Sequence, residues 1–285
     1  MEPFTILMLS LAFIMLFLGS ITDFKTREVP DYLSYGMMIL GLGLRCLYSL
    51  VTTDWHYFFE GVAGFVLFFA LGALFFYLGQ WGGGDSKVLM ALGSLLGVNL
   101  NDDQIMLSFL INLLAVGSIY GLLWSFLAAV KKGKSFLTFF KHALSQKKIV
   151  FFRILALIIS VILLLFSFWS KTPVALLLLA FLVISSTYLY VFMITLDALC
   201  FYKIVHPSKL TEGDWIKEDI KISNKIIVSK TKTGLSKEDL TLLQQYARKG
   251  KIKKVTIKEG MPFVPAFLIT LLLTLWTGNL LYFFL

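Results

Sequence analysis

Two aspartates stand at the edges of strongly apolar segments of the chain. Asp85 follows three consecutive glycines, Gly82, Gly83 and Gly84, and separates two apolar runs. Asp23 closes the first apolar run and is followed at once by the sequence F-K-T-R. An acidic side chain at the edge of a lipid-embedded segment is costly to retain, so each aspartate is a candidate functional group.

A pair of carboxylates has a well-defined chemistry when the two groups lie close together. Both cannot ionise cheaply, so the pair shares one proton. The ionised member can take a proton from water while the protonated member polarises a peptide carbonyl, which is the division of labour in aspartic proteases. A structural role is the alternative: Asp23 would pair with Lys25 or Arg27, and Asp85 would cap a helix.

The glycines favour a catalytic role for Asp85, with a flexible turn as the alternative. Because they lack a Cβ, Gly82, Gly83 and Gly84 admit close backbone approach and unusual φ values. Their bare N–H and C=O groups offer an edge for an extended substrate peptide. Asp85 is predicted to begin a helix, whose dipole favours an ionised carboxylate, and Lys87 is expected to help to hold that charge.

Membrane helices must position these groups. The chain has 285 residues, of which 58% are hydrophobic, with a mean hydropathy of +0.82 and a net charge of +9. This composition predicts an all-α polytopic membrane protein. About eight spans, each of roughly 20 apolar residues, are expected at residues 4–22, 32–51, 57–79, 85–99, 104–130, 149–169, 174–202 and 262–285.

Loop charge sets the predicted topology. Loops 22–31 and 131–148 are rich in Lys and Arg, whereas loops 52–56 and 100–103 contain only acids as charged residues, including Asp102 and Asp103. Basic loops stay in the cytoplasm, so the short fourth segment must also cross and both chain ends lie outside. Asp23 and Asp85 then share the cytoplasmic face. Arg45, in the second span, is expected to snorkel towards the outer face.

At these residues the chain resembles the type IV prepilin peptidases, in particular the archaeal prepilin and preflagellin branch of the GxGD membrane aspartyl proteases. Residues 82–87 read G-G-G-D-S-K, which is similar to the family's GxGDxK pattern. Asp23, Lys25, Arg27 and the sequence V-P-D at 29–31 resemble its D-x-(K/R)…P-(D/N) segment. The likeness covers about residues 5–130 and, more loosely, the spans up to residue 202.

The resemblance implies an activity. Asp23 and Asp85 would be the catalytic pair of an endopeptidase that removes class III signal peptides from prepilins and pre-archaellins. Such precursors have a basic leader followed by a hydrophobic helix, and they are cut at the cytoplasmic face of the cell membrane. No cofactor or metal is implied. Because the chain has no C-x-x-C pair, the methyltransferase activity and zinc loop of bacterial relatives are not expected.

Three domains are predicted: a transmembrane protease core at 1–202, a basic cytoplasmic α+β domain at 203–260, and a last transmembrane helix at 261–285. The middle domain carries 14 basic and seven acidic residues. This charge suits membrane lipids, including anionic ones, and no nucleic acid is expected. In its helix, Ser236 is the predicted N-cap and Gly250 the predicted stop.

Several acids are candidates for reading a basic leader or lining the site. They are Glu28, Asp31, Glu212, Asp214 and Asp197, with solvated loop charges and a helix cap as the alternatives.

Two other functions stay open: an ion-coupled transporter or channel with interfacial acids, and a non-catalytic scaffold. Cys46, Cys200 and the three histidines show no metal-ligand spacing.

Overall fold

A computed structural model describes residues 2–98, 105–222, 225–230, 234–258 and 260–280. Within these ranges the fold is helical with a small sheet region, which confirms the predicted class. The helices are α1 (Pro3–Thr26), α2 (Asp31–Thr52), α3 (His56–Tyr77), α4 (Gly83–Leu96), α5 (Ile105–Lys132), α6 (Lys134–Ser145), α7 (Lys147–Ser167), α8 (Pro173–Leu199), α9 (Lys237–Arg248) and α10 (Val264–Thr277). The strands are β1 (Tyr202–Val205), β2 (Trp215–Ile216), β3 (Ile220–Ile222), β4 (Lys225–Val228) and β5 (Val255–Lys258).

Six of the described helices are long and apolar enough to cross a membrane: α1, α2, α3, α5, α7 and α8. The other two predicted spans, 85–99 and 262–285, correspond to shorter helices, α4 and α10, each 14 residues long. Asp102, Asp103 and the end of the last predicted span, from residue 281, lie outside the described residues.

One helix was not predicted. The loop expected at 131–148 contains α6, because K-S-F-L-T-F-F-K-H-A-L-S places Phe136, Phe140 and Ala143 on one helical face. This face is apolar at a helical period, and Phe136 and Ala143 are buried. The many lysines of the segment concealed this pattern.

The chain forms two compact units. The first contains residues 1–123 and 203–285, and the second contains residues 124–202, so α5 continues from one unit into the other. The three-domain division expected from the sequence stays a prediction.

The core of the first unit surrounds α4. Eight of its 14 residues are buried, and α1, α2 and α3 pack around it. Helices α3 and α4 approach most closely at Gly64 and Gly93, where a Cβ on Gly64 would collide with the Gly93 carbonyl oxygen. Helix α10 packs on α1, and its Val264, Phe267 and Leu271 belong to the same apolar cluster. The last helix is therefore part of this core.

Arg45 closes the far end of α4, so the snorkelling expected from the sequence is wrong. Its side chain is 4% exposed and donates from Nε to Ser94 O (3.0 Å), from Nη1 to Tyr57 O (3.0 Å) and from Nη2 to Leu95 O (2.8 Å). Glu60 provides the countercharge at 3.5 Å. The last carbonyls of a helix have no intrahelical partner, and the guanidinium supplies donors for two of them.

The basic segment 203–260 has its own small core. Strands β1, β5 and β2 form a three-stranded sheet in that order, and β3 and β4 form an antiparallel pair. Ser236 caps α9, accepting from the Asp239 N–H at 3.2 Å, while Asp239 accepts in return from the Ser236 N–H. The predicted cap and the stop at Gly250 (φ +70°) are confirmed.

In the second unit, α7 and α8 pack side by side, and α6 lies against α8. The Phe136 ring meets the Phe192 ring at 5.5 Å, and the Ser160 hydroxyl donates to Ala180 O at 2.9 Å. Asp197 is exposed on α8.

Candidate active site

Asp23 lies in the last turn of α1 and is 5% exposed. Its Oδ2 accepts a hydrogen bond of 3.0 Å from the N–H of Val264, the first residue of α10. The positive end of a helix dipole and an unused N–H meet the carboxylate at this point, and both favour its ionised form. Helix α1 ends at Thr26, and the next residue, Arg27, is its C-cap in the left-handed conformation (φ +61°).

Asp85 is the third residue of α4, because the helix begins at Gly83, two residues earlier than predicted. Its Oδ2 accepts from the Gly82 N–H at 3.3 Å. Asp85 therefore caps its own helix, as the structural alternative requires. A carboxylate has about four lone-pair positions, so this bond leaves acceptor capacity for a further partner, and the side chain is only half-buried.

The two aspartate segments come together at one end of the helix bundle. Asp23 and Asp85 lie within electrostatic reach of each other, and Tyr120 of α5 lies within reach of both. The loop after α1 touches the glycine run, since a Cβ built on Gly84 would lie 3.6 Å from Val29 N. The topology derived from loop charge predicts that the two aspartates lie at the same end of the bundle.

The glycine run allows the loop after α1 to approach closely. Gly82 has φ −72°, and none of the three glycines before Asp85 has a positive φ, so the expectation of unusual φ values is wrong. The space beside Gly84 is instead occupied by Val29, in the loop between α1 and α2. A Cβ would fit there in ordinary contact, so only a side chain larger than that of alanine would press the two motifs apart.

Lys87 pairs with Asp31, which corrects the expectation that it supports Asp85. Its Nζ lies 2.7 Å from Asp31 Oδ1 and 5.3 Å from the centroid of the Tyr35 ring. The pair joins the first turns of α4 and α2. Lys25 is exposed at the end of α1.

Three of the other candidate acids, Glu28, Glu212 and Asp214, lie on two loops. Glu28 is exposed and accepts from the Thr211 hydroxyl at 2.7 Å, so the basic segment contacts the loop after Asp23. Asp214 Oδ2 accepts from the Thr211 N–H at 2.8 Å. Glu212 lies 3.7 Å from Lys237. Asp197 belongs to the second unit.

Sequence reasoning missed an aromatic group beside the aspartates. Trp81, which precedes the glycines, lies 5.8 Å from Phe263 and 5.6 Å from Phe267, measured between ring centroids. Tyr120 donates from its hydroxyl to Pro262 O at 2.7 Å. The sequence M-P-F-V-P signals a helix start, but no local pattern connects it with Asp23, 241 residues earlier.

Among the residues that the structure describes, no group of three or more His, Cys, Asp or Glu side chains could hold a metal ion. Cys46 and Cys200 are free and half-buried.

Comparisons with known proteins show similarity to one family. Residues 10–130 match the type IV leader peptidase family. The chain is 41% identical over 81 residues to a preflagellin peptidase of Methanocaldococcus jannaschii, and 38% identical over 81 residues to those of Methanococcus voltae and Methanococcus maripaludis. Each match covers 28% of this chain and 34% of the relative, so the chain matches about a third of these relatives' length. No solved structure matches significantly. Residues 10–130, which contain both aspartates, are therefore similar in sequence to the type IV leader peptidase family.

Proposed function

We propose that the chain is a membrane aspartic endopeptidase that removes the leader from prepilin or pre-archaellin precursors, with Asp23 and Asp85 as its catalytic pair. The family match and the named relatives support a leader peptidase. The observation that carries the proposal is the meeting of the two aspartate segments at one end of the bundle, with Val29 against Gly84.

In the proposed reaction the pair holds one proton. The ionised carboxylate takes a proton from water as the water oxygen attacks the carbonyl carbon of the scissile peptide. The protonated carboxylate gives its proton to the carbonyl oxygen, which forms a gem-diol. When this intermediate collapses, the carboxyl group that took a proton from water gives it to the amide nitrogen and the C–N bond breaks. One hydroxyl of the gem-diol returns its proton to the other carboxylate as the new carboxyl group forms. One water is consumed, and the pair again holds one proton.

The proposed orientation places the site at the cytoplasmic face of the cell membrane, where the hydrophobic helix of the precursor begins. Basic loops support this orientation. A basic leader is attracted by acids, and Glu28 is the best placed, since Asp31 already pairs with Lys87 and Glu212 lies near Lys237. Gly82, Gly83, Lys25 and Asp197 stay predicted supporting residues, and anionic lipids stay predicted partners.

Incubation of the purified protein with a precursor that has a basic leader and a hydrophobic helix tests the proposal. We expect one cut at the leader junction, identified by mass spectrometry of the new N-terminus. Asp23→Asn and Asp85→Asn should each reduce cleavage to background while the proteins remain folded. Asp54→Asn, in the loop at the other end of the bundle, is the matched control. Intact precursor after incubation with folded wild-type protein would contradict the proposal and favour the transporter alternative.

A further inference from the structure

The first turn of α10 contacts both aspartate segments. Its Val264 N–H donates to Asp23 Oδ2 at 3.0 Å. Its neighbours Phe263 and Phe267 pack against Trp81, which directly precedes the glycine run of Asp85. One short stretch of the last helix therefore touches the two segments that must cooperate, although it lies far from both in the sequence.

The hydrogen bond to Asp23 also caps the N-terminus of α10. The N-cap residue of α10 is Phe263, whose side chain makes no capping bond. The first N–H groups of a helix require acceptors from outside the helix, and the Asp23 carboxylate provides one. The carboxylate gains a donor and the positive end of the helix dipole in return.

The aromatic contacts fix the second segment. Trp81 is half-buried and lies between Phe75, at 4.6 Å, and the two phenylalanines of α10. The Tyr120 hydroxyl, on α5, donates a hydrogen bond of 2.7 Å to the Pro262 carbonyl oxygen. This bond anchors the segment that leads into α10.

We propose that residues 262–267 are a third component of the active site: the Val264 N–H orients Asp23 as the ionised member of the pair, and Phe263 and Phe267 hold Trp81 and the Asp85 turn beside it. This inference rests on the proposed function. It assigns the proton-accepting role to Asp23 and the proton-donating role to Asp85.

The groups that face Asp23 are compatible with this assignment. Within the described part of the chain they include Arg27 at the end of α1, Asp85 on α4 and Tyr120 on α5. Helix α10 adds no ionisable side chain between Val264 and Thr277, so its contribution to Asp23 comes from the backbone. A test must therefore change a backbone group.

Val264→Pro removes the N–H at the first position of the helix, which proline tolerates, although it disfavours the αR conformation of the preceding Phe263. Val264→Ala, the matched control, keeps the N–H. A hydrogen bond to a charged group corresponds to about a ten- to hundredfold effect, so we expect Val264→Pro to lower kcat by this factor, with KM within about twofold of the Val264→Ala value. The acidic limb of its pH profile of kcat/KM should move to higher pH, because a carboxylate that has lost a donor binds its proton more tightly. Equal kcat and equal profiles in the two variants would overturn the role of the N–H.

An amide-to-ester substitution at Val264 removes the same N–H without the proline ring, and it decides the role of this N–H if Val264→Pro does not fold.

The aromatic contact is tested by Trp81→Ala, which should lower kcat, and by Trp81→Phe, which should restore most of it. Wild-type turnover in Trp81→Ala would overturn the role of the contact. These results are separable from the proposed function, which fails if folded wild-type protein leaves the precursor intact or if Asp23→Asn or Asp85→Asn still cleaves.

Discussion

At the scale of single residues, the two aspartates differ in what surrounds them. Asp23 is buried and accepts from the N-terminus of another helix, α10, whereas Asp85 is half-buried and accepts from the start of its own helix. Each therefore has a structural function as a cap. Capping leaves oxygen atoms available for water or substrate, so the structural and catalytic roles are compatible in both residues.

Gly84 carries a prediction at this scale. A Cβ at position 84 would already be in van der Waals contact with Val29, 3.6 Å from its nitrogen, so the two methyl groups of a valine would have to enter the space that Val29 occupies. We expect Gly84→Val to reduce cleavage at least tenfold by separating the two motifs, as measured by the rate of precursor processing. Gly36→Val on α2 is the control, since a Cβ there meets no atom within 4 Å. Full activity in Gly84→Val would contradict the close-approach argument.

At the scale of helices, α4 is the critical element because it carries Asp85 and is short. Its 14 residues rise about 21 Å, less than the ~30 Å of a hydrocarbon core. Its last carbonyl groups have no partner within the helix and would lie inside the membrane, where no water is available to hydrogen-bond to them. Arg45 of α2 and Glu60 of α3 solve this problem, since the guanidinium binds Ser94 O and Leu95 O.

Arg45→Met should therefore destabilise the first unit. It leaves the α4 carbonyls without their donors and removes the positive partner of Glu60, and breaking a buried pair costs about 3–5 kcal/mol. We expect a clearly lower midpoint of thermal unfolding in detergent. Arg248→Met, at the exposed end of α9, should leave the midpoint unchanged. A midpoint equal to that of the wild type in Arg45→Met would show that α4 needs no such cap.

At the scale of the whole molecule, the helix ends of the first unit divide into two groups. The end of α1 and the starts of α2, α4 and α10 meet around Asp23, Lys87 and Asp31. The opposite group contains Arg45, Tyr57 and the end of α4. Lys25 and Arg27 belong to the first group, while residues 52–56 contain no Lys or Arg. By the positive-inside rule, this charge distribution supports the proposed orientation, in which the aspartate end faces the cytoplasm.

Cysteine labelling tests this orientation. In a background with Cys46 and Cys200 replaced by serine, Asp54→Cys should react with a membrane-impermeant maleimide in intact cells. Lys25→Cys should react only after the membrane is permeabilised. Both positions are exposed in the structure, so access depends on the side of the membrane. The opposite pattern, or labelling of both from one side, would contradict the topology.

Local patterns in the sequence predicted most of the elements. Apolar runs identified the spans, Ser236 and Asp239 identified the start of α9, and loop charge placed the two aspartates at one end. Contacts between distant segments were not visible. Arg45 looked like a snorkelling residue because its partners are backbone carbonyls some 50 residues away, and Lys87 was assigned to Asp85 because Asp31 is 56 residues distant.

The same limit explains why α10 was set apart from the core. Its hydrophobicity predicted a span, yet the contact with Asp23 depends on a backbone N–H, which every residue except proline carries. No residue type signals such a bond. The aromatic contacts of Trp81 depend in the same way on which helices become neighbours.

Cooperation between Asp23 and Asp85 is tested most directly by a double-mutant cycle on precursor cleavage, with Asp23→Asn, Asp85→Asn and the double variant compared with the wild type in one assay. Two groups that act on the same bond lose their effect together. We predict that the double variant cleaves no more slowly than either single variant. A double variant whose loss equals the product of two partial losses would mean that the aspartates act independently, and would contradict the account.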